Sequence, residues 1–275
     1  MTMIERPAVA PGGQHPPRRH GPIAVLWRIF AGVLIVSALA WGTYNVVTLL
    51  AHEERVETEA FAAADVRALD VDSANGSVRI VATETDEVTV RAEISEGLRR
   101  TGERREVVNG VLELRAACPS IGSNFCWVDY DVRVPRDLPI TVRSNNGRVE
   151  ISGTNAAVDV DGDNGGVALT DVSGPVVAAT DNGRLTASGL RSSSVRADTD
   201  NGRVVLEFIT APMAVEASSD NGSVEVVVPD DGEAYRVSME TDNGSQEQSV
   251  RVDPDSPRSL TLSTDNGRVT ARSAP

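Results

Sequence analysis

The sequence predicts an all-β repeat domain that follows a single transmembrane α-helix. Three observations support this prediction: an uncharged apolar run near the N-terminus, an Asn-Gly pair that recurs at nearly regular intervals, and alternating polarity on both sides of each pair. Aromatic residues make up 4% of the chain, whereas hydrophobic residues make up 40%. We therefore expect a core of small aliphatic side chains, mainly Val, Ala and Leu, which is unlike the core of a globular enzyme.

The apolar run covers residues 29–50 and contains no charged residue. As a helix it spans about 33 Å at ~1.5 Å per residue, which is enough to cross a hydrocarbon core of about 30 Å. Residues 1–50 hold four arginines and one acidic residue, whereas residues 51–275 hold 22 arginines and 39 acidic residues. This bias predicts an N-terminus in the cytoplasm and a C-terminal part outside it.

A cleaved signal peptide is the alternative interpretation of this run. Ala38-Leu39-Ala40 fits a cleavage pattern after a short apolar stretch. The apolar run continues to Leu50, however, which favours an uncleaved anchor. The predicted organisation is a disordered cytoplasmic tail at 1–22, a transmembrane helix at 23–50, a juxtamembrane linker at 51–64 and an extracytoplasmic β-repeat domain at 65–275.

The Asn-Gly repeat is the strongest feature of the sequence. An outlying copy occurs at Asn75-Gly76, well before the others. The seven serial copies, which we assign a structural role in turns, are Asn146-Gly147, Asn164-Gly165, Asn182-Gly183, Asn201-Gly202, Asn221-Gly222, Asn243-Gly244 and Asn266-Gly267. Asn and Gly both tolerate the positive φ angles that tight turns need, so each pair is expected to form a turn.

The flanks of each pair alternate between apolar and polar residues, which indicates a strand with one buried face on either side. Apolar residues lie seven and five positions before each glycine and two and four positions after it, as in Val176, Ala178, Leu185 and Ala187. The copy at Gly244 departs from this pattern and is expected to be frayed or bulged. Two architectures fit the pattern: an antiparallel meander or sandwich of hairpins, and a β-solenoid with one repeat per coil. Repetition of the whole unit favours the solenoid.

The chain also resembles a bacterial putative-adhesin domain family of unknown function. The resemblance covers about residues 65–272. The residues that carry it are Val134-Pro135-Arg136-Asp137-Leu138-Pro139 and the serial S/T-x-N-G-x-V units that follow. It implies a β-solenoid on the cell envelope, and it supplies no catalytic residues.

The two cysteines, Cys118 and Cys126, lie in a segment that does not follow the repeat. Both are on the oxidising side of the predicted membrane, so we expect a disulfide bond between them, and two buried free thiols are the alternative. Within the same segment, the residues around Asn109-Gly110 are expected to form a local hairpin.

No catalytic constellation is visible in the sequence. The three histidines, His15, His20 and His52, lie outside the β-repeats, so a Ser-His-Asp arrangement or a His-based metal site there is not expected. Paired carboxylates of a carbohydrate-active enzyme remain a weaker alternative, because acidic residues are common throughout the domain. We predict that the protein is not an enzyme and needs no cofactor.

An aspartate precedes the Asn-Gly pair in six copies, and stacking would place these side chains about 4.8 Å apart along one edge. They are Asp163, Asp181, Asp200, Asp220, Asp242 and Asp265. Such a row could bind Ca²⁺. The favoured alternative is that each aspartate caps its turn while nearby arginines offset the charge; those arginines are Arg148, Arg184, Arg203 and Arg268.

Two further clusters of residues are candidate contact surfaces. Arg99, Arg100, Arg104 and Arg105 form a basic island that could contact an anionic wall polymer, or simply a solvated loop. The aromatic residues Phe125, Trp127 and Tyr130 are expected to plug one end of the solenoid rather than to bind a ligand.

The resulting functional prediction is a non-enzymatic cell-envelope protein that presents an acidic β-solenoid for adhesion or for contacts with protein or wall polymer. The strongly negative β domain makes nucleic acid a poor partner. The alternative is a membrane-anchored module that senses envelope stress or regulates a response to it.

Overall fold

The computed structural model describes residues 22–119 and 125–274. The chain separates into two units, of which the first ends at Leu49 and the second begins at Leu50. The tail expected at residues 1–22 lies outside the described residues, except that Pro22 begins the helix.

Helix α1 (Pro22–Leu50) lies in the first unit except for its last residue, and its bounds match the expected span at 23–50. Its segment Val25–Val47 has the length and the mean hydropathy, 1.8, of a membrane span, and a signal sequence near the N-terminus would satisfy the same criteria. The side-chain amide of Asn45 donates a hydrogen bond to the carbonyl of Trp41 at 2.7 Å. This polar side chain therefore has a partner within the helix.

The second unit is built around eight coils, each of which bends at an Asn-Gly pair. In four coils the bend separates two strands, and in four others one long strand runs through it. These strands are β2 (Ala68–Ser73), β3 (Val78–Thr83), β8 (Ile140–Asn146), β9 (Val149–Ser152), β10 (Val158–Asn164), β11 (Val167–Thr170), β12 (Val176–Asn182), β13 (Leu185–Leu190), β14 (Ser194–Phe208), β15 (Ala214–Val228), β16 (Arg236–Gln248) and β17 (Ser259–Ser273). We call the strand segments before the bend the first sheet and those after it the second sheet.

Neighbouring coils pair in parallel and with equivalent residues side by side, which confirms the solenoid. Val176, for example, lies between Val158 of one neighbouring coil and Val195 of the other. These aliphatic positions are buried in every coil except β16 and form one continuous core between the two sheets. The antiparallel meander is therefore wrong for the repeats, because identical environments arise only when whole units stack.

The coils do not stack in chain order at either end. The coil of β2 and β3 lies between β8–β9 on one side and strands β6 (Val111–Ala117) and β7 (Trp127–Pro135) on the other. At the opposite end β17 lies between β15 and β16. Stack order therefore departs from chain order at these two places.

Antiparallel strands close the solenoid at the β6–β7 end. Strand β5 (Gly102–Val108) pairs with β6 through a hairpin at Asn109-Gly110, as expected. Strand β4 (Glu87–Glu96) pairs with β7, and β1 (Glu53–Ala62) pairs with β4. A single 3₁₀ turn, Ala63–Asp65, follows β1. Most of the predicted linker at 51–64 is thus strand β1. This strand lies at the edge, and half of its side chains are charged, so its sequence resembles that of a linker.

The opposite end of the solenoid is formed by β16. Its pairing with β17 is regular from Arg236 to Gln248, so the expected fraying or bulging at Gly244 is wrong. Gln246 and Gln248 occupy positions that are apolar in the other coils, and both are exposed here. No further coil of the described chain covers them, and polar residues suit such a terminal position.

Candidate interaction surface

A ladder of asparagine side chains runs along the bend of all eight coils. Each amide nitrogen donates to the amide oxygen of the next asparagine, with distances between 3.0 and 3.3 Å. The spatial order is Asn243, Asn266, Asn221, Asn201, Asn182, Asn164, Asn146 and Asn75. None of these asparagines has a positive φ angle, so the prediction that they provide one for the turn is wrong. Their structural role is the side-chain ladder.

The glycine that follows each asparagine allows the coils to approach closely. A Cβ atom built on Gly222 would lie 1.5 Å from the carbonyl oxygen of Gly202, and one on Gly202 would lie 1.7 Å from that of Gly183. Gly147 and Gly165 also have positive φ angles, whereas Gly202 and Gly222 do not. The close approach, rather than the φ angle, is therefore the requirement that these glycines share.

A mostly buried row of hydroxyl groups lies three positions before the glycines, in every coil except that of Gly165, which has Gly162 there. These residues are the Ser or Thr of the S/T-x-N-G units, for which the sequence suggested no hydrogen-bonding role. Thr180, Ser219 and Thr264, for example, donate to the glycine carbonyl of a neighbouring coil at 3.1–3.2 Å. The hydroxyl row satisfies carbonyl groups at the bend that the core would otherwise leave without a partner. Recurrence of Ser or Thr at this position was the signal available in the sequence.

The six aspartates form an exposed row beside the asparagine ladder, but their order differs from the chain order. Asp265 lies between Asp220 and Asp242, because β17 lies between β15 and β16. Among residues 22–119 and 125–274 there is no group of three or more His, Cys, Asp or Glu side chains that could hold a metal ion. Calcium binding by the row remains a prediction without a preformed cluster to support it.

The arginines expected to offset this row lie on the other side of the bend. Arg148, Arg184, Arg203 and Arg268 immediately follow their glycines and are exposed. Within the described part of the chain, no ion pair joins any of them to an aspartate of the row. An offset of the row's charge by these arginines, without direct ion pairs, stays a prediction.

A disulfide bond joins Cys118 to Cys126, with a Cα–Cα distance of 5.8 Å, and confirms the predicted pairing. It also ends the asparagine ladder, because the amide of Asn75 donates to Sγ of Cys118 at 3.0 Å and to the carbonyl of Cys126 at 3.3 Å. Closing so short a loop is expected to stabilise the fold by about 2–3 kcal/mol. The described residues contain no free cysteine.

The predicted basic island is not a single surface. The Arg105 side chain is buried against Glu103, with Nε 2.7 Å from Oε1, and it also contacts Glu57. Burial opposes the charge of Arg105, but hydrogen bonds and charge from Glu103 and Glu57 more than compensate and raise its pKa. Arg104 pairs with Glu106 at 3.1 Å. Arg99 and Arg100 are exposed, so only these two of the four remain free for contacts.

The three aromatic residues near the disulfide have different environments. Tyr130 is buried and donates to Glu103 at 3.3 Å, and burial, followed by the charge of Glu103, raises the pKa of Tyr130. Trp127 is exposed, whereas Phe125 is half-buried and packs on His52 with ring centroids 4.7 Å apart. Tyr130 alone has the core-filling role expected for the group.

Comparison with sequence families identifies the repeat region. Residues 138–269 match the family described as Toastrack DUF4097. This segment is similar to the Toastrack family. The match begins at Leu138, within the Val-Pro-Arg-Asp-Leu-Pro element, and ends at Val269 in β17. The Toastrack assignment confirms the predicted relationship to a domain family of unknown function.

Several crystal structures resemble the chain at low sequence identity. A putative cell adhesion protein from Clostridium sporogenes is 13% identical, with a TM-score of 0.40 over 81% of this chain and 100% of that one. A putative adhesin from Parabacteroides distasonis is 10% identical, with a TM-score of 0.47 over 79% and 97%. A putative adhesin from Bacteroides fragilis is 13% identical, with a TM-score of 0.38 over 80% and 97%. No curated protein sequence matches the chain.

Proposed function

We propose that this protein is a non-enzymatic component of the cell envelope that presents the Toastrack solenoid outside the cytoplasm for contacts with other envelope molecules. The observation that carries the proposal is the repeated Asp-Asn-Gly bend, which exposes the same side chains at equivalent positions along successive coils. A surface of this kind repeats one chemical pattern at a fixed interval of about 4.8 Å. Such repetition suits an extended or multivalent partner better than a small substrate.

Two features support an extracytoplasmic location. The Cys118–Cys126 disulfide is typical of an oxidising compartment. The charge bias around α1 favours a cytoplasmic N-terminus, and the length of Val25–Val47 favours an anchor. Both features support a β unit that lies outside the cytoplasm.

Protease treatment of intact cells tests the location. With one epitope tag at each end of the chain, we expect external protease to remove the C-terminal tag and to leave the N-terminal tag on a membrane-bound fragment. Lysed cells serve as the control, because both tags should then be accessible. Protection of the C-terminal tag in intact cells would refute the topology, and loss of the N-terminal tag during maturation would show a cleaved signal sequence instead.

Site-specific photocrosslinking tests the contact surface. A photoreactive residue at Ser223, on the second sheet beside the bend, is expected to capture envelope components in intact cells. The matched control is Thr261, which is exposed on the first sheet. Absence of crosslinks from both positions would refute a role in envelope contacts. Crosslinks confined to transmembrane signalling proteins would instead support the sensing or regulatory alternative.

A further inference from the structure

Four exposed arginines that follow the bend have no partner within the described chain. Arg148, Arg184, Arg203 and Arg268 make no ion pair and no side-chain hydrogen bond with residues 22–119 or 125–274. Several other exposed arginines of the solenoid are paired, as Arg79 is with Glu150 at 2.8 Å, whereas Arg133 and Arg236 are unpaired but isolated from one another. In a domain with a large excess of carboxylates, four unpaired guanidinium groups at equivalent positions form a distinct chemical feature. We call these four residues the arginine row.

The pairing register fixes the spacing of the arginine row. Arg184 and Arg203 lie on adjacent coils. Gly166 separates Arg148 from Arg184, and Ser223 separates Arg203 from Arg268. At about 4.8 Å per coil, the successive intervals are roughly 10, 5 and 10 Å, and the row extends over about 24 Å along the solenoid axis.

The small residues within the row leave open grooves between the arginines. One groove lies between Arg148 and Arg184, over Gly166 and Ala168. Others lie between Arg184, Arg203 and Arg268, around Ser223. Glu225 and Glu247 also line one of them. Arg272 neutralises Glu225 through an ion pair of 3.0 Å, whereas Glu247 lies at the terminal coil and has no ion pair in the described chain. A narrow chain lying in these grooves would meet guanidinium groups from both sides of each gap.

The two sheets differ strongly in the charge of their outward positions. On the first sheet, the outward positions four and six residues before the glycines hold seven acidic residues and two arginines. The acidic residues are Asp70, Asp72, Asp159, Asp161, Asp198, Glu216 and Glu240, and the arginines are Arg143 and Arg196. On the second sheet, the outward positions three and five residues after the glycines hold four acidic residues and two arginines. The acidic residues are Glu150, Glu207, Glu225 and Glu247, and the arginines are Arg79 and Arg272. With the arginine row added, the second sheet has a small excess of positive charge, whereas the first sheet and the aspartate row are strongly negative.

This difference in charge between the two sheets favours a narrow anionic ligand over a wide one. A wide polyanion such as duplex DNA would cover both the arginine row and the aspartate row across the bend, and repulsion at the short distances involved would oppose binding. A single polymer chain along the second sheet would contact only the arginines. Guanidinium groups bind phosphate and carboxylate oxygens through paired hydrogen bonds.

We propose that the arginine row binds an extended anionic polymer, with phosphate or carboxylate groups that recur along its chain, lying parallel to the solenoid axis. This inference deepens the proposed function and rests on it, since it names the class of envelope molecule that the solenoid contacts. The four arginines act together, and each contact alone is weak because it is solvent-exposed. Affinity therefore depends on the length of the polymer as well as on its charge.

Binding by the full chain in nonionic detergent tests the proposal. The probes are fluorescent long-chain polyphosphate, fluorescent polygalacturonate, inorganic phosphate and duplex DNA. We expect one or both polymers to bind more tightly than inorganic phosphate and duplex DNA. Preference for polyphosphate would identify a phosphate-bearing partner, and preference for polygalacturonate would identify a carboxylate-bearing one.

A variant of the row and a charge-matched control complete the test. Replacing Arg148, Arg184, Arg203 and Arg268 with Gln is expected to weaken polymer binding about tenfold or more. The charge-matched comparison uses two double variants: Arg184→Gln with Arg203→Gln inside the row, and Arg133→Gln with Arg236→Gln outside it. Arg133 and Arg236 are exposed and have no partner in the described chain, so both double variants remove the same net charge. The pair inside the row should bind polymer more weakly, whereas the control pair should bind as the unmodified protein does. The same comparison keeps the test available if the fourfold row variant does not fold.

The proposal is overturned if the row variant binds polymer like the unmodified protein, if the control loses as much affinity, or if duplex DNA binds equally well. It is also overturned if the unmodified protein binds neither polymer. Envelope crosslinks from Ser223 would still support the proposed function in any of these cases, so the two failures are distinguishable.

Discussion

At the scale of single residues, each member of the bend has a separate physical task. The asparagine amide links one coil to the next, as Asn201 does by donating to Asn182 and accepting from Asn221. The glycine lets neighbouring backbones approach more closely than any side chain allows. The hydroxyl three positions earlier satisfies the glycine carbonyl of a neighbouring coil. The exposed residues that flank the pair are free of these tasks, which leaves them available for binding.

The glycine requirement gives the first prediction. Gly222→Ala is expected to destabilise the β unit by about 2 kcal/mol or more, because the new Cβ atom would lie 1.5 Å from a carbonyl oxygen and the coils would have to separate. The control is Gly102→Ala, whose Cβ atom would make ordinary contacts, the nearest at 3.5 Å. Urea unfolding followed by circular dichroism measures both. Equal stability of the two variants would show that close approach at the bend does not matter.

A buried tyrosine gives the second prediction. The hydroxyl of Tyr235 is buried and has no hydrogen-bond partner among the described residues. Burial, and then the nearby charge of Asp231, raise the pKa of Tyr235 to about 12. Because this value lies above the ordinary 10, the stabilising contribution of the neutral form is complete below pH 10 and is lost as the pH rises through about 12.

Tyr235→Phe should therefore leave stability at pH 7 unchanged or increase it by about 1 kcal/mol, and should reduce the fall in stability between pH 10 and 12. Tyr130→Phe is the contrasting variant, because it removes a hydrogen bond to Glu103 and should destabilise at pH 7. Thermal melts across this pH range, with tyrosinate absorbance recorded in parallel, distinguish the two. A Tyr235→Phe variant that is clearly less stable at pH 7 would mean that its hydroxyl has a partner.

At the scale of elements, the sequence was informative wherever side chains alternate over a buried face. Val176 and Ala178 before a bend and Leu185 and Ala187 after it predicted two strands, and the structure has β12 and β13 there. Strand β1 escaped prediction because an edge strand buries little, and its charged residues look like those of a linker. The absence of ion pairs in the arginine row could not be predicted, because sequence alone does not show which carboxylates an arginine can reach.

The terminal coil gives the third prediction. Strand β16 pairs only with β17 among the described strands, and an unpaired edge can recruit another strand. Gln246 and Gln248 replace the apolar pair and keep the core from continuing to this edge. Changing both to Val is expected to cause self-association, because the core would then end in an exposed apolar surface. Sedimentation velocity measures it.

The control for this variant changes Ser245 and Glu247 to Val on the same strand. Both residues alternate with the glutamines and point away from the core. This control adds the same number of valines without extending the core. Equal self-association of the two variants would attribute the effect to general surface hydrophobicity and would refute a capping role for the glutamines.

At the scale of the whole β unit, chain order and coil order diverge at both ends. The segment with β17 is last in the chain, but it is next to last in the stack. The segment with β2 and β3 is likewise placed inside the stack, between coils that come later in the chain. Both ends of the repeat region are therefore held between neighbours. No periodicity in the sequence shows this, because every copy has the same pattern and fits equally well at any level of the stack.

This arrangement gives the last prediction, which compares two deletions of nearly equal length. Removing residues 259–275 deletes β17, leaves β16 without its only neighbour and uncovers the core edge of β15. Removing residues 166–183 instead deletes one coil in register, so that Gly165 is followed by Arg184 and β10 meets β14 at equivalent positions.

In a serial solenoid the terminal deletion would be the milder one, since it would remove only the outermost coil. Here we expect the reverse: the internal deletion retains one cooperative melt at a moderately lower midpoint, whereas the terminal deletion loses two coils and exposes residues 236–248 to protease. Circular dichroism melts with limited proteolysis measure both outcomes, and a terminal deletion that leaves β16 protected would show that β16 has another neighbour in the stack.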